Sequence, residues 1–125
     1  MCKLKKILIV EDELDFARMV KMRLESVGYA VALAGDTAQG TKKVMEENFD
    51  LLVLDLMMPG GGGFELLDNV HEKPGIENIP VIILTGKTID DEVKDKAQSY
   101  NVADIIMKPY ESKQFVQKIK ALVPV

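Results

Sequence analysis

Groups able to hold a cation and a phosphate stand where short apolar runs stop. The run "ILIV" (7–10) delivers Glu11, Asp12 and Glu13; "LLVL" (51–54) delivers Asp55; "VIILT" (81–85) ends in Thr85; "ADIIM" (103–107) is followed by Lys108 and Pro109. Taken singly, an acid after a strand reads as a turn or helix cap, and a lysine before proline as surface. Placed together at four strand ends, they converge on one rim. Carboxylates crowded there repel by roughly 4 kcal/mol per pair at about 4 Å and an effective dielectric near 20, so the cluster needs a cation. Hard carboxylate oxygens that leave room for water and phosphate oxygens suit Mg²⁺, and no His or Cys is near to favour zinc. Lys108 adds positive charge and Thr85 a neutral hydrogen bond. The set is a receptacle for a tetrahedral dianion attached to, or arriving at, one of the acids.

The elements that must carry these groups alternate along the chain. Strands are expected near 6–10, 29–34, 51–55, 81–85 and 104–107; three are continuously apolar, as in a parallel sheet covered on both faces. Between them, Ala17, Val20, Leu24 and Val27 recur at helical steps and end at Gly28, a left-handed cap. Asp36 and Gln39 stand at capping-box spacing for a second helix to about Asn48, which Gly40 should weaken by roughly 1 kcal/mol relative to alanine. A short third helix is expected over Phe64 to Glu72. Thr88 with Asp91 opens a fourth that continues to about Tyr100, and Phe115, Ile119 and Leu122 mark a fifth. Strand-then-helix units of this kind give a doubly wound α/β sheet with helices on both faces, its crevice outside the carboxyl ends of the strands.

Length and charge narrow the function. The 125 residues suit one domain, and sixteen basic against twenty acidic residues leave a formal charge of -4, which argues against direct nucleic-acid binding. Lys3, Lys5 and Lys6 read as a solvated tail. The single cysteine, Cys2, excludes an internal disulfide and suits a reducing compartment; with neither a bilayer-length apolar run nor a signal peptide, a cytoplasmic location away from the membrane is expected.

The motifs "ILIVEDE", "LLVLDLMMPG", "VIILTGK" and "IIMKPY", in this order and spacing, closely resemble the receiver domains of two-component response regulators across essentially the whole chain, 1–125. The resemblance implies a flavodoxin-like five-stranded parallel sheet of order 2-1-3-4-5. It implies that Asp55 is the phosphoacceptor, taking a phosphoryl group from a histidine kinase, a phosphotransfer protein or a small phosphodonor. Glu11 and Asp12 would hold Mg²⁺ with Asp55 and the backbone carbonyl of Met57, Asp12 being the more direct ligand of the pair. Thr85 would hydrogen-bond one phosphoryl oxygen and Lys108 pair with another, with a cis bond before Pro109 aiming the lysine. Water would later hydrolyse the acyl phosphate, so the chain would catalyse its own phosphorylation and dephosphorylation without being an enzyme on other substrates. Helix four, strand five and helix five form the expected output face toward a downstream effector, with dimerisation on phosphorylation left open. Helix one and the Pro109 loop form the expected kinase-docking surface. The chain reads as a stand-alone receiver or a piece of a longer protein.

Several positions depart from the family pattern or invite other readings. Ile105 stands where receivers commonly carry an aromatic, which puts ring rotation as a readout in doubt; Tyr110 is read as packing before mobile aromatic. Gly61 and Gly62 replace a methionine and an acid, and read as a loose, mobile surface loop. His71 reads as exposed and inert, and Phe16, Met19 and Met22 as helix packing or a docking face. A metal-dependent phosphohydrolase is the enzymatic rival, but Met57 occupies the place where it wants a second acid. A flavodoxin-like cofactor binder is disfavoured because Glu11 to Glu13 would repel a phosphate at the first loop, and a purely structural domain would not need Asp12, Asp55, Thr85 and Lys108 together. Met57 and Lys87 should flank the path of the hydrolytic water. Met57→Asn is therefore expected to shorten the acyl-phosphate lifetime in a single-turnover decay assay, and equal decay rates would remove that role.

Overall fold

Runs without a polar residue have nothing to offer solvent on either face, and each becomes a strand covered from both sides. In the computed structural model, which describes residues 3–58, 60–86, 89–108 and 110–125, the elements are β1 (Lys6–Val10), α1 (Leu14–Ser26), β2 (Ala30–Ala34), α2 (Thr37–Glu46), β3 (Leu51–Leu54), α3 (Gly63–Val70), a 3₁₀ turn (Ile76–Asn78), β4 (Val81–Thr85), α4 (Asp91–Ser99), β5 (Asp104–Met107) and α5 (Ser112–Leu122). All five strands pair in parallel in the order β2-β1-β3-β4-β5. Alternate strand residues point to opposite faces. Ile7, Ile9, Leu51, Val53, Ile82 and Leu84 pack under α1 and α5, while Leu8, Val10, Leu52, Leu54 and Ile83 pack under α2 and α3.

The local signals hold with shifts at the ends. Gly28 has φ 111°, as a left-handed cap requires, and Asp36 caps α2 by accepting from the Gln39 N–H at 2.8 Å. Strand β2 starts one residue later than expected, because the Tyr29 N–H donates to the Leu24 carbonyl of α1 at 3.2 Å; the Tyr29 hydroxyl donates to the Val123 carbonyl at 2.6 Å. Helix α2 stops at Glu46, and α3 covers Gly63–Val70 rather than running to Glu72. Helix α4 is capped by the Asp90 side chain, which accepts from the Val93 N–H at 2.9 Å; the Thr88 cap, Lys87, Cys2 and the Pro109 peptide lie outside the described residues. In α5, Leu122 is exposed, and Val116 and Val123 complete the buried stripe with Phe115 and Ile119. No helix among the described residues is long and apolar enough to cross a membrane.

Two glycines are demanded by close packing. A Cβ on Gly40 would lie 2.6 Å from Leu66 and 3.0 Å from Val10, so the residue that lowers helix propensity is the one that lets α2 approach β1 and α3. A Cβ on Gly62 would stand 1.8 Å from the Leu56 carbonyl oxygen. Gly62 therefore lies against the backbone that follows Asp55, and Met58 and Gly61 exchange N–H···O bonds of 3.2 and 3.3 Å. Gly62→Ala is expected to destabilise the fold by roughly 2–3 kcal/mol through overpacking against backbone. Gly60→Ala, at φ 79° with nothing within 4 Å of the new Cβ, should cost only about 1–2 kcal/mol of left-handed strain. Urea denaturation of the two variants checks this order, and its reversal would show the loop to be loose at Gly62.

Candidate functional site at the strand ends

The sheet's hydrogen-bond ladder runs one residue past three of its strands, and each of those residues belongs to the site. The Glu11 N–H donates to Ala34 at 3.0 Å, the Asp55 N–H to Val10 at 3.1 Å and the Lys108 N–H to Thr85 at 2.8 Å. The backbone of each chemical group is thus held by the strand beside it. The neighbours β1, β3, β4 and β5 bring all four strand ends to one rim.

Glu11, Asp55 and Thr85 are buried there, at 3%, 5% and 0% exposure, while Asp12 is exposed to solvent. Lys108 reaches across from β5: its Nζ donates to Glu11 Oε2 at 2.8 Å and to Asp55 Oδ2 at 3.3 Å. The remaining oxygens face backbone donors two residues on. Asp55 Oδ1 accepts from the Met57 N–H at 3.0 Å, and Glu11 Oε1 from the Glu13 N–H at 3.2 Å. Each buried carboxylate is therefore gripped on one side by its own turn and on the other by a shared ammonium.

One ammonium does not balance two buried acids, and the protonation equilibria register it. Burial, reinforced by neighbouring Asp55 and opposed by Lys108, pushes the Glu11 carboxyl up to about 7. Burial alone would pull the Lys108 ammonium down, but Glu11 and Asp55 together outweigh it and raise its pKa. Ligand oxygens of Glu11, Asp12 and Asp55 lie within 4.8 Å of one another. The donors are hard oxygens, one of the three carboxylates is open to solvent, and the local charge is short of cation, so the residues fit Mg²⁺.

The other expected residues fall into place unevenly. Thr85 reaches the rim fully buried, and its carbonyl anchors Lys108. Met57 holds Asp55 through its N–H while its side chain is 61% exposed beside the acid. Ile105 is half-buried in β5 opposite Ile83, and Tyr110 packs between Phe16 and Phe115. His71 is exposed, its Nδ1 2.7 Å from the Asp68 carbonyl oxygen. Sequence reasoning missed the position of Phe16, whose ring centroid lies 4.3 Å from Lys108 Nζ. The available signal was an aromatic in the first turn of the helix that follows the acidic pair.

Comparison with known proteins converges on one family. The family model described as the response regulator receiver domain matches residues 7–120. The transcriptional regulatory protein ResD of Bacillus subtilis is 37% identical over 120 residues, covering 94% of this chain and 48% of ResD. The response regulator ArlR of Staphylococcus saprophyticus is 34% identical over 118 residues, covering 94% and 52%. The chain thus spans about half the length of the curated relatives it matches. Among solved structures, a CheY-like receiver domain protein from Methanospirillum hungatei superposes with a TM-score of 0.86 at 32% identity, over 95% of this chain and 93% of that one. The response regulator TrrA of Thermotoga maritima, solved in complex with Mg(2+)-BeF, gives 0.82 at 27% identity, over 96% and 100%.

The raised Glu11 pKa sets a direction for stability in metal-free protein. Between the ordinary value of 4.5 and about 7 the folded state holds this proton and the unfolded chain does not. Stability contributed by Glu11 is therefore full below about pH 4.5, falls as pH rises through about 7, and is level above, a loss on the order of 3 kcal/mol. Urea denaturation with a chelator across this range should show the fall in wild type relative to Glu11→Gln; parallel curves for the two proteins would contradict the assignment.

Proposed function

Because the chain belongs to the response regulator receiver domain family, whose work is phosphorelay signalling, we propose that it takes a phosphoryl group on Asp55 and switches conformation in response. The observation that carries this reading is the Lys108 ammonium held between buried Asp55 and buried Glu11 at 3.3 and 2.8 Å. Such a group sits ready to neutralise a dianion arriving on Asp55. A metal-dependent phosphohydrolase has no support, since the family match and the relatives are response regulators.

Asp55 would act as the nucleophile. One carboxylate oxygen attacks phosphorus in line, a P–O bond forms, and the P–N bond of a phosphohistidine breaks with its electron pair leaving on the imidazole nitrogen, which can take a proton from solvent. Glu11, Asp12, Asp55 and the Met57 carbonyl would hold Mg²⁺, which when bound supplies the positive charge that two acids and a dianion require. Lys108 turns its ammonium from carboxylate to phosphoryl oxygen, and the Thr85 hydroxyl donates to another. In a separate, later step water attacks the same phosphorus, the P–O bond to Asp55 breaks, and inorganic phosphate leaves with the carboxylate restored. Self-phosphorylation and self-dephosphorylation by this route, rather than turnover of another substrate, would set the signal.

The partners in this reading are a histidine kinase or phosphotransfer protein at α1 and the loop after β5, and a downstream effector at α4, β5 and α5. Residues 1–125 would act as a single receiver domain in the cytoplasm without touching nucleic acid itself, and a phosphorylation-dependent dimer fits the same output face. The signal is a shift between two conformations, as large as the difference in phosphoryl-group stabilisation between them. With acetyl phosphate and Mg²⁺, intact-mass analysis should show one added phosphoryl group on wild type and none on Asp55→Asn, or with a chelator present. Labelling that survives Asp55→Asn, or steady hydrolysis of small phosphoesters, would overturn the reading.

A further inference from the structure

We propose that Phe16 is a positioning residue for Lys108: its ring face holds the ammonium at the Asp55 side of the crevice. The inference rests on the reading of Lys108 given above and adds a residue to it. A lysine ammonium is a point charge on a flexible four-carbon stem with freely rotating donors, so two carboxylates alone do not fix where it sits. In this protein a third group closes around it. Lys108 Nζ lies 4.3 Å from the centroid of the Phe16 ring, within the range of cation–π attraction, and the Lys108 side chain is only 13% exposed.

The ring is itself restrained. Phe16 meets Tyr110 edge to face at 5.9 Å and 85°, and Tyr110 packs on Phe115 at 4.8 Å. Phe115 is buried in the core that α1 and α5 share. Three aromatic rings therefore run from the core to the ammonium, and Phe16 cannot turn away without disturbing Tyr110. A ring face also differs from a carboxylate as a partner, because it attracts the cation without fixing a single donor direction. The ammonium can exchange Glu11 or Asp55 for a phosphoryl oxygen while keeping the ring, which a third acid would not allow without adding negative charge at the site.

The contact is read first in metal-free wild-type protein by NMR. Ring current should move the Lys108 ε-methylene protons upfield of the other lysines, and the displacement should vanish in Phe16→Leu and persist in Phe16→Tyr. Phosphoryl uptake from acetyl phosphate should fall about 3- to 10-fold in Phe16→Leu, recover in Phe16→Tyr, and show no further loss when Phe16→Leu is added to Lys108→Ala. Lys108 protons at ordinary shifts in wild type would overturn the proposal, and need no variant that folds. Equal loss in Phe16→Leu and Phe16→Tyr, or a full Phe16→Leu effect without Lys108, would overturn it in favour of plain packing. Wild type that shows the shifted lysine yet takes no phosphate would instead sink the reading of Asp55 and leave the ring contact standing.

Discussion

Two nearly solvent-free carboxylates share one ammonium, and the rim of this sheet is organised around that imbalance. Removing water from Glu11 and Asp55 is costly, and a single positive charge cannot return what two lose. The protein answers in two ways. Each acid receives a backbone N–H from its own turn, Glu13 for Glu11 and Met57 for Asp55. Burial raises the Glu11 pKa to about 7, which favours its neutral form and lowers the buried charge. The exposed neighbour Asp12 puts a third carboxylate on the solvent side, with its oxygen within 4.8 Å of those of Glu11 and Asp55. A site balanced in this manner is short of positive charge, and its hard oxygen donors suit a divalent cation.

The precision of the arrangement comes from main chain. Glu11, Asp55 and Lys108 each stand one residue past a strand, yet their N–H groups still bond to the adjacent strand. A residue further along, the backbone would be free to move as a loop; a residue earlier, the side chain would point into an apolar layer. At this step a polar side chain leaves the apolar layers while its backbone remains part of the sheet; Thr85 does the same from the last residue of β4. That is why chemistry concentrates at strand ends in a parallel sheet whose faces are both occupied.

Much of this could be read from residue order, and the exceptions share a cause. Continuous apolar runs located the strands, Asp36 with Gln39 located a helix start, and the acids, threonine and lysine after the runs located the rim. These are local signals, set by a few neighbours in the chain. The strand order is not local, and it came from family resemblance. Nor are the features that differ. Leu122 continues the helical stripe of α5 but lies past the edge of the core, which Val116 and Val123 fill instead. Tyr29 stays outside the strand because its N–H is taken by the Leu24 carbonyl of α1. Phe16 and Lys108 come from opposite ends of the chain, so no spacing rule joins them.

The run of glycines after Asp55 shows how a local reading can identify a residue type without seeing what packs against it. Four glycines in sequence suggest slack, since each adds freedom to the unfolded chain. In the folded protein the Leu56 carbonyl stands against Gly62, and the Asp55 carbonyl is 3.0 Å from where a Gly63 Cβ would stand. Backbone packs directly on backbone, and only residues without side chains permit it. The consequence falls on Asp55. With Met58 and Gly61 bonded to each other, Met57 is held where its N–H meets Oδ1, and Lys108 meets Oδ2. The two oxygens of one carboxylate are thereby made different, one tied to the loop and the other to a side chain that can let go. Gly62 and Gly63 let the backbone on either side of Met57 pack closely, and the Met57 N–H meets the acid there.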